Sequence, residues 1–306
     1  MQVANLLKKN ASGNNRRPIY ILFTDEVPTN LQKPVKITKF AVKNIIKRTF
    51  HMDNKLTFIG IIPARYASTR FPGKPLAMLG GMTVIERVYR QVSQALGHVA
   101  VATDDDRIMQ AVQAFGGTAV MTSTAHRSGT DRCQEAYINC GGHEDVIINI
   151  QGDEPFIQPD QLQAIMACFD DEGTDIATLV RPFDAARPYS ELENPNSPKV
   201  VVDSKMRARY FSRSVIPYLR SQERGQWPRL HQYYTHVGMY AYRAAVLDAI
   251  TRLPQSPLEL AESLEQLRWL ENGYTVTCGI TNTATIGIDT PQDLERAEQY
   301  LQQQGQ

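Results

Sequence analysis

The stretch Phe58-Ile-Gly-Ile-Ile-Pro-Ala-Arg-Tyr-Ala-Ser-Thr-Arg-Phe-Pro-Gly-Lys-Pro-Leu76 carries an apolar strand straight into a basic loop punctuated by glycine and proline. The loop gathers Arg65, Ser68, Thr69, Arg70 and Lys74 where a parallel strand hands over to a helix, the place at which open α/β sheets hold polyanionic ligands. A triphosphate carries about four negative charges at neutral pH, and a nest of backbone N–H groups with separated cations can hold it without a Walker-type lysine. Arg65 and Lys74 are the leading phosphate ligands and Arg70 the next. The loop matches neither Gly-x-x-x-x-Gly-Lys-Ser/Thr nor Gly-x-Gly-x-x-Gly, which argues against a P-loop ATPase and a dinucleotide-dependent dehydrogenase.

Outward from this loop, apolar runs alternate with amphipathic stretches in the manner of βαβ units. Phe58 to Ile62 is the first strand, and Thr83 to Leu96 is a helix with Val84, Ile85, Val88 and Val92 on one face. His98 to Thr103 reads as a second buried strand, Asp105 to Phe115 as a helix with an acidic first turn, and Ala119 to Met121 as a short strand. After a polar loop, Asp145 to Gln151 is another parallel-type strand. The expected fold is α/β, a doubly wound and mostly parallel sheet. The alternation loosens after Thr178, where Val200 to Asp203 and Ala208 to Phe211 can pair as an inserted antiparallel subregion.

The chain has 306 residues, 42% hydrophobic and 21% charged, ordinary for a soluble globular protein. No apolar run approaches the roughly 20 residues of a membrane span and the amino terminus lacks a signal-type apolar core, so a cytoplasmic chain without membrane insertion is expected. Cys133, Cys140, Cys168 and Cys278 lack metal-type spacing and read as reduced thiols. Residues 1–51 hold ten Lys/Arg against Asp25 and Glu26, a balance of +8 that leaves −7 for the rest of a +1 chain. They read as an extension before a functional start at Met52; a nucleic-acid-binding arm is the sharper alternative, and no nucleic-acid partner is expected.

Three further constellations carry chemistry. Asn149-Ile-Gln-Gly-Asp-Glu-Pro155 ends a hydrophobic strand, where a carboxylate faces the cleft and can hold Mg²⁺ against phosphate oxygens. Asp153 is the first candidate and Glu154 the second. In Ile286-Gly-Ile-Asp-Thr-Pro-Gln-Asp-Leu294, Asp289 is expected to follow a short strand and to precede a helix that Pro291 can start, so it reads either as a helix cap or, paired with Asp153, as a second metal ligand. Met121-Thr-Ser-Thr-Ala-His-Arg-Ser-Gly-Thr-Asp-Arg132 is a hydroxyl-rich loop suited to reading the edge of a base. Its His126 is more readily a hydrogen-bonding or surface residue than a catalytic base.

Taken together, IIPARYASTRFPGKPL, VATDD, MTSTAHRSGTDR, NIQGDEP, SPLELAESLEQLR and GIDTPQDLERA, in this order over residues 58 to about 300, resemble the 3-deoxy-manno-octulosonate cytidylyltransferases, also called CMP-KDO synthetases. The resemblance implies a fold of the nucleotide-diphospho-sugar transferase type, with residues 1–54 as a basic extension and 55–306 as the cytidylyltransferase domain. It implies transfer of CMP from CTP to the anomeric hydroxyl of KDO, with release of pyrophosphate, for lipopolysaccharide biosynthesis. Catalysis would rest on Arg65, Lys74 and Asp153; Ala64, Arg65, Ser68, Arg70, Lys74, Thr103, Asp104, Ser128 and Gly129 would contact the nucleotide. Asp153 and Asp289 would bind Mg²⁺, and Gln151, Arg213, His236, Tyr240, Glu265 and Gln266 would take the sugar acid. A homodimer with its interface around residues 180–240 is implied as well. The extension has no counterpart in the family pattern. A CMP-sialic acid synthetase is the related alternative, and a GT-A-like glycosyltransferase or an inactive nucleotide-binding regulator the more distant ones.

Overall fold

Strand β1 (Phe58–Ala64) runs up the middle of the sheet because nothing in Ile-Gly-Ile-Ile needs water: both of its faces are covered, as in parallel sheets. The computed structural model describes residues 56–67, 69–126, 128–283 and 286–304; the basic extension over 1–54 and Ser68 of the loop therefore lie outside the described residues. A short hairpin, β2 (Met78–Leu79) and β3 (Met82–Thr83), follows the loop. It leads into α1 (Val84–Ser93), capped by the Thr83 hydroxyl. Next come β4 (His98–Thr103), α2 (Asp106–Ala114), β5 (Ala119–Met121), α3 (Gly129–Asn139), β6 (Val146–Asn149) and α4 (Pro159–Ala167). Asp105 caps α2 and Ser128 caps α3, each satisfying an N–H that the first helical turn leaves open.

The second half comprises β7 (Ile176–Pro182), α5 (Tyr189–Leu192), the hairpin β8 (Lys199–Val202) and β9 (Ala208–Ser212), and α6 (Trp227–Leu230). It continues with β10 (Tyr234–Arg243), α7 (Ala244–Ile250), α8 (Pro257–Glu262), α9 (Gln266–Glu271), β11 (Val276–Ile280) and α10 (Pro291–Gln303). Among the described residues the strand order is β11-β7-β10-β6-β1-β4-β5, with β8 paired to β10 and β9 to β8. Six of these seven strands run one way and β10 alone runs against them, antiparallel to both β6 and β7. The fold is thus the expected α/β sheet, mostly parallel, with an antiparallel insertion whose β8–β9 pair matches the sequence reading.

Side-chain alternation on β1 divides the interior. Ile59 and Ile61 join Cys133, Ala136, Tyr242 and Trp269 on one face, while Ile62 and Ala64 join Val88, Val92, Val101 and Leu162 on the other. Gly60 is required by this packing, since a Cβ there would come within 2.9 Å of Leu96 and 3.0 Å of Ile150. No helix among the described residues is long and apolar enough to cross a membrane. The chain leaves β1 toward β4 and β5 on one side and returns to β6 on the other. That reversal opens a crevice at the carboxyl ends of the strands, the general ligand position in such sheets.

Candidate active site

The loop that follows β1 closes on itself before it reaches the crevice. Gly73, in the left-handed region at φ 71°, donates its N–H to the Tyr66 carbonyl at 2.9 Å and opens a short 3₁₀ turn, Lys74–Leu76. Pro75 is buried in this turn, which fixes where Lys74 begins. Its ammonium bonds Asp153 Oδ2 at 2.7 Å and Asp289 Oδ1 at 3.3 Å, and Arg70 Nη1 bonds Asp289 Oδ2 at 3.0 Å. Lys74 is the most enclosed of the four, with 15% of its side chain exposed against 66% for Arg70.

The two acids arrive from distant segments that the backbone itself ties together, for Ile288 N–H donates to the Asp153 carbonyl at 2.8 Å. Asp289 is not the cap of α10. Thr290 takes that role, in a reciprocal capping box with Asp293, and the Asp289 carboxylate turns to Lys74 and Arg70. Beside Asp153, burial and the neighbouring charge push the Glu154 carboxyl up to about 7. Of the two adjacent acids, Asp153 is the one whose carboxylate meets Lys74.

Two carboxylates already converging on one ammonium nitrogen have the donor set that magnesium accepts, because it takes one or two carboxylates and completes its shell with phosphate and water. No group of three or more His, Cys, Asp or Glu able to hold a metal occurs among the described residues.

The hydroxyl-rich loop that follows β5 is held by a buried cation. Arg132, on the inner face of α3 and fully buried, bonds Asp104 Oδ2 at 2.6 Å and Thr122 Oγ1 at 2.6 Å. Thr103 is also fully buried, and its hydroxyl accepts the Asp105 N–H at 3.3 Å, supporting the turn that carries Asp104. Ser128 Oγ accepts the Asp131 N–H at 3.1 Å, and Gly129 lies beside Asn149 and Pro63 at the ends of β6 and β1. Arg65, one residue past Ala64 at the end of β1, donates to the carbonyl of His126, while the His126 ring pairs with Glu135. Glu135 also accepts the Ser123 N–H at 2.8 Å, the chief reason its carboxyl stays below the ordinary range. The basic loop after β1 and the hydroxyl-rich loop after β5 are thereby joined through Arg65. Arg132 and Glu135 were not assigned a role from sequence; a cation on the buried stripe of α3 was the available signal.

The residues named for the sugar acid collect around β10. Gln151 Nε2 donates to the Gly238 carbonyl at 2.8 Å. His236 shares a 2.9 Å hydrogen bond with Thr178 and stands between the Phe211 and Tyr240 rings, each centroid 5.3 Å away; burial pushes its pKa down to about 4, so it is neutral. Glu265 accepts from Thr130 at 2.8 Å and from Arg268 at 2.7 Å, yet burial still raises its pKa. The Tyr240 hydroxyl and the Gln266 side-chain amide nitrogen are buried without a partner among the described residues, unusual for polar groups in a native interior. Arg213 donates to the carbonyls of Glu262, Pro195 and Ser263 at 2.6, 2.9 and 3.2 Å, leaving two of its five N–H groups for a ligand.

A mostly parallel α/β sheet with a cationic loop closing on two acids, Asp153 just beyond β6 and Asp289 in the segment before α10, where the expected short strand does not form, is the framework of a nucleotidyltransferase. The cytidylyltransferase family matches residues 59–278. Curated 3-deoxy-manno-octulosonate cytidylyltransferases of Bacteroides thetaiotaomicron and Phocaeicola vulgatus are 64% and 65% identical over 246 and 248 residues, 80% and 81% of this chain and 98% of each relative. A solved structure of CMP:2-keto-3-deoxy-manno-octonic acid synthetase complexed with CTP is similar at a TM-score of 0.74 and 42% identity, over 81% of this chain and 99% of that one. The chain belongs to the 3-deoxy-manno-octulosonate cytidylyltransferase family.

Proposed function

We propose that this chain transfers the cytidylyl group of CTP to the anomeric hydroxyl of KDO, forming CMP-KDO and pyrophosphate and supplying an activated sugar for lipopolysaccharide assembly. The observation that carries the reading is the meeting of Lys74 with Asp153 and Asp289, at 2.7 and 3.3 Å, in a loop that also carries Arg65 and Arg70. In the reaction the anomeric oxygen forms a bond to the α-phosphorus, the bond from that phosphorus to the α–β bridging oxygen breaks, and the hydroxyl proton is released. Positioning and charge stabilisation supply most of the acceleration in such transfers. Arg65, Arg70 and Lys74 would hold the triphosphate in line. Asp153 and Asp289 would hold a magnesium ion, which when bound supplies charge neutralisation at phosphate oxygens. On the β10 side, Arg213 offers charge for the sugar carboxylate, and Gln151, His236, Tyr240, Glu265 and Gln266 offer donors and acceptors for hydroxyls.

Pyrophosphate release from CTP with KDO, set against a nine-carbon sialic acid, tests the reading: turnover with KDO alone is expected, and turnover only with the sialic acid overturns it. The proposal includes a cytoplasmic homodimer that meets around residues 180–240. A monomeric mass in sedimentation at micromolar concentration defeats that part.

A further inference from the structure

Tyr66 stands between the two leading phosphate ligands, one residue after Arg65 and bonded through its carbonyl to Gly73, the residue before Lys74. Its ring is held from outside the loop. Arg107 Cζ lies 3.3 Å from the ring centroid, well inside the distance at which a guanidinium is attracted to an aromatic face. Arg107 is itself fixed, with Nε 2.9 Å from Asp105 Oδ1 and Nη2 2.7 Å from Asp105 Oδ2, and Asp105 caps α2. The same ring limits Gly73: a Cβ there would sit 3.2 Å from the ring at a φ of 71°, so a larger residue is both crowded and strained.

We propose that Tyr66 is a positioning residue that sets the separation of Arg65 and Lys74 for a nucleoside triphosphate, with Arg107 as its brace on α2. The inference rests on the CTP reading given above. The brace joins the phosphate loop to the turn that carries Asp104, so phosphate and base contacts share one rigid support. The contact uses the face of the ring, which assigns the work to aromaticity and not to the hydroxyl.

The test is steady-state kinetics of Tyr66→Ala, Tyr66→Phe and Arg107→Gln, with circular dichroism of each. Misplacement of a binding group by about an ångström can lower turnover efficiency by up to about 10²-fold. Tyr66→Ala is therefore expected to lower kcat/KM for CTP at least about tenfold with KM for KDO unmoved, and Tyr66→Phe to restore it. Arg107→Gln, at an exposed side chain, should give a smaller loss in the same direction, and it carries the test if Tyr66→Ala does not fold. A Tyr66→Ala enzyme within about twofold of wild type for CTP, or one that loses both substrates equally, overturns the inference. If wild type makes no pyrophosphate from CTP and KDO, the proposed function fails instead; calorimetric titration of CTP into the same variants then decides the role of Tyr66 separately.

Discussion

The crevice has two unlike walls. On the parallel side, around β1, β4 and β6, charged groups meet at strand ends in ion pairs that remain within reach of water: Lys74 with Asp153 and Asp289, and Arg70 with Asp289. On the antiparallel side, around β10, the polar groups are enclosed: burial pushes His236 down to about 4 and raises Glu265, which pairs with Arg268, and the Tyr240 hydroxyl has no partner among the described residues. A phosphate chain is recognised by charge, which works best where cations and anions can exchange partners. A sugar is recognised by hydroxyls, which neutral donors and acceptors match without the desolvation penalty of buried ions.

The contrast can be broken most sharply at the acids. Asp153→Asn and Asp289→Asn are each expected to lower kcat by about 10²–10³-fold, the loss typical of one preorganised electrostatic contact at a reacting centre. Pyrophosphate release measures it, and Mn²⁺ titration of the CTP complex should show metal affinity falling in parallel. Near-normal turnover at limiting magnesium removes both residues from the metal site.

Next in size is Arg132→Ala. It strands the Asp104 carboxylate against a buried site, and the unfolding free energy in urea should drop by about 3 kcal/mol. A loss below about 1 kcal/mol would mean that water reaches Asp104 and that the parallel wall is wetter than its geometry indicates.

Tyr240→Phe separates stability from binding on the other wall. Removing an unpaired buried hydroxyl should raise stability by about 1 kcal/mol, while KM for KDO rises about fivefold and KM for CTP stays put. Unchanged kinetics would reduce Tyr240 to packing against Trp269, whose ring centroid is 5.0 Å away.

The last effect is read per pH unit, as a slope. His236 titrates near 4 in the folded chain and near 6.5 when unfolded. Between those values the unfolded state binds a proton that the folded state refuses, so its contribution to stability is complete above 6.5 and declines as the pH falls toward 4, by up to about 1.4 kcal/mol per pH unit. Urea unfolding across this window should show that slope shallower in His236→Gln than in wild type. Equal slopes would place His236 in contact with solvent.

Much of the parallel wall was legible along the chain. The strands at His98–Thr103 and Ala119–Met121 match their expected bounds, because a short apolar run between polar turns has little freedom to extend. The helix expected over Thr83 to Leu96 is shorter, Val84–Ser93: Thr83 is its cap, and its last turns give way to a loop before β4. Asp145 to Gln151 likewise narrows to Val146–Asn149, the part that finds ladder partners on both sides. Asp289 allowed two local readings, cap or ligand, and Thr290 beside it could cap equally well. The antiparallel wall was less legible. Nothing in Tyr234–Arg243 states that it will wedge between β6 and β7, because periodicity reports which faces are buried and not which strand lies alongside. Arg132 and Tyr66 escaped notice for a related reason, since a cation in a helix or an aromatic in a loop is ordinarily a solvated or packing residue.

Local chemistry along the chain therefore specified the alternating α/β pattern, the cationic loop after β1 and the acidic turn beyond β6, since each follows from side-chain spacing and backbone preference over a few residues. The pairing of Lys74 with an acid 215 positions away and the neutral enclosure around His236 arose only on folding, because distance and dielectric are properties of the packed sheet and not of neighbours in sequence.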